Sequence, residues 1–136
     1  MLEQSDSIDT TTFEQILEMD DDDDRDFSKS IVYDYFQQAQ STFTKMDTSL
    51  DKRDFPQLSD LGHFLKGSSA TLGLTKLKDS CEKIQHYGKR KDETGTRDES
   101  DEELLLGRLR STIDDAKQEF NEIERLLRRF YRDESS

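Results

Sequence analysis

The sequence holds one cysteine, one proline and one valine among 136 residues, and each scarcity excludes something. A lone cysteine, Cys81, cannot close an internal disulfide, which fits a reducing compartment. A single valine and a single proline argue for helices, since strands favour β-branched residues such as valine. No run of about 18 apolar residues occurs, so no membrane span is expected. The first residues, with Glu3, Asp6 and Asp9, lack the basic start and apolar stretch of a secretory signal. No glycine-rich phosphate loop of the Walker type is present, so nothing suggests ATP binding. A soluble intracellular chain is expected in the cytoplasm, with the nucleus open to one this small.

Leu, Ile, Val and Phe number 15, 6, 1 and 8, few enough beside a net charge of −12 to raise the question of disorder. The charge is unevenly spread. Residues 1–60 carry 5 positive and 16 negative side chains, residues 61–91 carry 7 and 2, and residues 92–136 carry 8 and 14. The overall acidity argues against nucleic acid as a ligand. The one basic block would favour a phosphoryl group and an acidic partner pocket.

Periodicity answers the question of disorder. Residues 1–10 are polar and expected to be flexible, leaving residues 11–132 as one domain. Thr12-Phe13-Glu14-Gln15 reads as a capping box opening a short helix, and Asp20 to Asp24 as a solvated connector. Val32, Phe36, Ala39, Phe43, Met46 and Leu50 recur three and four apart along a helix from about Ser28 to Leu50. A third helix should run from about Pro56 to Leu72 and stop at Gly73, and a fourth should bury Leu74, Leu77, Cys81 and Ile84. After a charged linker from Lys89 to Glu99, a capping box at Ser100 opens the longest helix. Its seam is Leu106, Leu109, Ile113, Ala116, Phe120, Ile123, Leu127 and Phe130, and its end is rich in arginine (Arg125, Arg128, Arg129, Arg132). Gly107 inside it has no evident reason. The expected fold is all-α, an antiparallel four-helix bundle capped by a short N-terminal helix.

The octet His63-Phe64-Leu65-Lys66-Gly67-Ser68-Ser69-Ala70 lies on the third helix. A helix turns about 100° per residue, so Lys66 and Gly67 stand one turn beyond His63 on the same side. Leu58, Leu61, Leu65, Ser69 and Leu72 form the apolar stripe, with His63, Gly67 and Ala70 roughly opposite. The imidazole is therefore aimed outward, beside small residues and a cation. An imidazole is nucleophilic when neutral near pH 7, and its phosphoramidate stays reactive enough to pass the group on. Lys66 would compensate a phosphoryl dianion, and Gly67 would let a partner close over the ring. Ser69 falls on the stripe and can equally be a hydrogen-bonded core residue. A zinc site from His63, Cys81 and His86 would need a fourth ligand and convergence of opposing faces, so no metal and no cofactor are expected.

With Leu72-Gly73-Leu74 after it, the octet resembles the signature of histidine-containing phosphotransfer domains, and most closely the fungal phosphorelay intermediates of osmosensing pathways. Met19 through Lys29 and Cys81 through Gln85 strengthen the likeness, which covers most of residues 12–90. The resemblance implies a stoichiometric carrier, not an enzyme. His63, modified at Nε2, would take a phosphoryl group from the receiver aspartate of a hybrid histidine kinase. It would then pass the group to a response regulator. Mg²⁺ would belong to the receiver, and the chain would act as a monomer. It also implies that Gln85 hydrogen-bonds near His63, that Ser68 or Ser69 holds the local network, and that Lys89 adds positive potential. Phe64, with Phe13, Ile16 and Leu17, would form an apolar partner surface, although those last three could equally pack onto the bundle. A helical adaptor that binds receivers without taking phosphate is the alternative. The linker after the fourth helix is shorter than the acidic insertion of the fungal relatives.

Overall fold

The computed structural model describes residues 8–20 and 25–135, the last four by backbone alone. Five helices follow one another: α1 (Thr10–Leu17), α2 (Asp26–Asp51), α3 (Phe55–Thr71), α4 (Thr75–Gly88) and α5 (Glu102–Ser135). α3 packs on α2 and α4, and α5 packs on both α2 and α4, so the four long helices close a ring. Their directions alternate. Along α2 and α5, Asp47 meets Lys117 at 2.7 Å, Gln40 meets Glu124 at 3.3 Å and Ser28 meets Tyr131 at 2.9 Å. Among the described residues no helix is long and apolar enough to cross a membrane.

The α2 seam is buried throughout, from Val32 to Leu50. The α5 seam is buried through Leu127, but Phe130 is only partly covered, while Leu105 and Tyr131 are buried. α5 packs along both α2 and α4, so its covered face is wider than a single three-four seam. Gly107 is exposed, and a Cβ there would meet nothing within 4 Å. The side chain of Arg132 lies outside the described residues.

Three helix ends differ from expectation. α1 is capped by Asp9, whose carboxylate accepts from the Thr11 and Thr12 amides at 3.1 and 3.4 Å. The expected cap, Thr12, instead donates its own hydroxyl to Asp9 at 3.0 Å. Nor are residues 8–10 loose, because Ile8 is buried and the Asp9 amide donates to the Gly73 carbonyl at 2.6 Å. Residues 1–7 lie outside the described residues. The N-cap of α2 is Arg25, in a left-handed backbone with no side-chain cap of its own. Asp20 supplies the missing acceptor, taking the Ser28 amide at 2.8 Å and hydroxyl at 2.7 Å, so it is more than a solvated connector. Asp21 to Asp24 lie outside the described residues. At α5 the cap is Asp101, not Ser100, with the Leu104 amide donating to its carboxylate at 3.1 Å.

The end of α3 follows the sequence reading. Gly73 has φ +75°, its amide donates to Ala70 at 3.1 Å, and the Leu74 amide reaches back to Ser69 at 2.9 Å. This paired closure is the Schellman arrangement that glycine favours. The segment after α4 is a built loop. Asp92 accepts from the Thr94 hydroxyl at 2.7 Å and from the Thr94 and Thr96 amides, and these bonds hold its carboxyl below the usual range. The Lys91 ammonium pairs with Asp98.

Candidate functional site

Two glycines set how closely α3 and α4 approach. A Cβ at Gly88 would stand 2.5 Å from the Ser59 amide nitrogen and 2.8 Å from the Phe55 carbonyl. One at Gly62 would stand 2.9 Å from both the Cys81 carbonyl and the Gln85 amide nitrogen. The crossing therefore requires residues without side chains at both places. It brings Gln85 beside the residue after Gly62, which is His63. The sequence reading did not single out Gly62. Its signal was the Ser59/Gly62 pair, small residues three apart on one face.

His63 and Gly67 are exposed, as the stripe predicted, and Lys66 is half-buried. The Lys66 ammonium donates to Gln85 Oε1 at 3.0 Å, and Gln85 Nε2 stands 3.4 Å from His63 Nδ1. Gln85 thus bridges cation and imidazole, leaving His63 Nε2 as the nitrogen not facing it. A Cβ at Gly67 would meet nothing within 4 Å, so nothing among the described residues requires its bareness. A helix-interior glycine costs about 1 kcal/mol relative to alanine, here with no internal return. Lys89 is the exposed C-cap of α4, one turn beyond Gln85.

The serines divide. Ser69 is fully buried and stands 2.7 Å from the Tyr35 hydroxyl, which pins α3 to α2. Burial pushes the Tyr35 phenol well above its ordinary value. Ser68 donates to the Phe64 carbonyl one turn back at 3.3 Å, so its hydroxyl is spent on its own helix, not on a network with His63. Tyr35→Phe should cost about 1 kcal/mol, the net worth of one buried hydrogen bond. Urea titration would show it as a lower midpoint at unchanged slope.

Phe13 and Ile16 are buried, and Phe13 stands edge-on to Phe130 at 6.2 Å, so these two are core rather than partner surface. A short amphipathic helix stays in place only by burying its apolar face, and these two residues are most of that face. Leu17 is partly buried against the same core. Among the described residues the exposed large apolar side chains are Phe64, Phe27, Met19 and Leu104. Only Phe64 among them was singled out from sequence. Between α2 and α3 lies a groove of about 290 Å³, lined by Ile31, Asp34, Gln38, Ser68 and Thr71 among others.

Neither Cys81 nor His86 joins the site. Cys81 is buried, and desolvation pushes its thiol up to about 12. His86 Nδ1 lies 2.9 Å from the Glu93 carbonyl, and Gly95 packs so closely on its ring that a Cβ would come within 2.9 Å. Among the described residues no three His, Cys, Asp or Glu side chains group as a metal site would need.

A family model described as "Hpt domain" matches residues 30–119, which include both helices of this site. The chain belongs to the Hpt domain family. It is similar to multistep phosphorelay regulator 1 of Schizosaccharomyces pombe, with 43% identity over 129 residues that make up 95% of this chain and 44% of that protein. It is also similar to the phosphorelay intermediate protein YPD1 of Saccharomyces cerevisiae, at 46% over 87 residues, or 63% of this chain and 52% of that one. The chain thus spans about half the length of these two relatives. Among solved structures, the Saccharomyces cerevisiae protein Ypd1, crystallised with the receiver domain of its downstream response regulator Ssk1, matches with a TM-score of 0.83. The identity is 32%, covering 94% of this chain and 96% of that one. As in other Hpt domains, the fold here is a helical bundle.

Proposed function

We propose that this chain is a phosphorelay carrier. His63 takes a phosphoryl group from the receiver aspartate of a hybrid histidine kinase and gives it to the aspartate of a response regulator. The observation that supports this most is the exposed imidazole with Lys66 held beside it through Gln85. The Nε2 lone pair attacks phosphorus, the bond from phosphorus to the aspartate oxygen breaks, and the electron pair leaves with the carboxylate. Lys66 then meets the new charge, a charge-assisted contact about twice as strong as a neutral one. The chain contributes position and charge, and little else is asked of a carrier.

Docking uses the open ground around Gly67, with the exposed Phe64 and Phe27 as apolar anchors. Lys89 adds positive potential toward an acidic receiver pocket, and Mg²⁺ belongs to that pocket. The carrier works stoichiometrically, as a monomer in the cytoplasm with the nucleus open to it, and leaves nucleotide chemistry to the kinase. An osmosensing pathway is the one the sequence resemblance implies. Incubation with a receiver domain labelled on its aspartyl phosphate tests the reading. The label should move to this chain in acid-labile, base-stable form while the receiver loses an equal amount. A complex that forms while the label stays on the receiver would instead establish the adaptor.

A further inference from the structure

Gln85 has one acceptor and one donor end, and the structure fixes which end faces which neighbour. Lys66 carries only donors, so the atom 3.0 Å from its ammonium is the amide oxygen. The amide NH₂ is therefore turned toward His63 Nδ1, 3.4 Å away. An NH₂ group cannot accept, so this contact is favourable only when Nδ1 presents its lone pair. In a neutral imidazole the proton is then on Nε2. That is the wrong tautomer for attack from Nε2, which needs its lone pair free and the proton on Nδ1.

We propose that Lys66, acting through Gln85, holds the resting His63 in its non-nucleophilic tautomer, and that an incoming phosphoryl anion releases the hold. When Lys66 turns to a phosphoryl oxygen, nothing keeps the Gln85 oxygen in place. The amide can then rotate by half a turn and present that oxygen to Nδ1–H. The Nδ1–H tautomer becomes favoured at the moment Nε2 must attack phosphorus. After the aspartate carboxylate has left, the ring bears phosphorus on Nε2, a proton on Nδ1 and a positive charge. The Gln85 oxygen then accepts a hydrogen bond from that proton. Lys66 is in this sense a positioning residue for the imidazole as well as a counter-cation. The device takes its purpose from the carrier reading, but its core is a property of the resting chain alone.

Long-range ¹⁵N–¹H correlation spectra of His63, recorded on the unphosphorylated chain above the pH of imidazole protonation, test it without any receiver. Lys66→Ala should raise the ratio of Nδ1–H to Nε2–H tautomer about twofold over the wild type, the scale of one long, exposed hydrogen bond. In a Gln85→Leu background the same Lys66→Ala change should leave the ratio where it was. An unchanged ratio in Lys66→Ala overturns the proposal. So does an equal Lys66 effect with and without Gln85, which would make it a direct field of the ammonium. Loss of label transfer with the tautomer result intact would instead count against the carrier reading and leave the local coupling standing.

Discussion

His63→Gln should abolish phosphoryl acceptance from a labelled receiver and leave the fold untouched. The chain has only two histidines, and the second cannot stand in. Its Nδ1–H, that of His86, donates to the Glu93 carbonyl, which leaves Nε2 as the free nitrogen, but Gly95 is packed against the ring on the side of that nitrogen. Glutamine keeps a polar side chain of similar reach but has no nitrogen lone pair able to attack phosphorus. Because His63 is exposed and its polar contact with Gln85 is long, stability should change by no more than about 0.5 kcal/mol. Label on the variant should therefore stay at background while its thermal unfolding overlays that of the wild type. Acid-labile label on His63→Gln would move the acceptor elsewhere.

Gly88→Ala should destabilise the chain markedly, since among its glycines a Cβ here would make the closest approach. Its Cβ would sit within 2.8 Å of three backbone atoms of α3, and backbone cannot turn aside as a side chain can. Overpacking of this kind costs about 1–3 kcal/mol, occasionally more, and outweighs the roughly 1 kcal/mol that alanine gains in helix propensity. Gly107→Ala, facing open space in α5, isolates that propensity gain and should be neutral or stabilising. Since α4 must back away from α3, Gln85 should also leave His63. Chemical denaturation should give a lower midpoint, and transfer should slow in the fraction that remains folded. A Gly88→Ala chain as stable as the wild type would mean that the crossing is looser than its geometry states.

The residues that faced inward were legible because burial imposes a period. Val32 to Leu50 and Leu106 to Leu127 show it without exception. The outward aim of His63 followed from the same stripe, by elimination. What periodicity could not show was contact between helices. Tyr35 meets Ser69 across 34 positions, and Gly62 meets Gln85 across 23, distances in sequence that no local pattern spans. Caps were misjudged by short shifts because Thr12 and Ser100 have the right chemistry, while Asp9 and Asp101, nearby, have it too and a stronger charge. The apolar residues of α1 were open to two readings, and only the position of Phe130 decided between them.

The turn at Gly73 bears also on the order in which the molecule assembles. Only residues 72–74 separate α3 from α4, so joining these two helices closes a very short loop at little entropic cost. Every side chain of the candidate site, from His63 to Gln85, belongs to this one hairpin. During synthesis it leaves the ribosome ahead of the 34 residues of α5, and contacts so near in sequence are the ones that form fastest. The contacts that set the site should therefore form earlier than those α5 makes with α2 and α4.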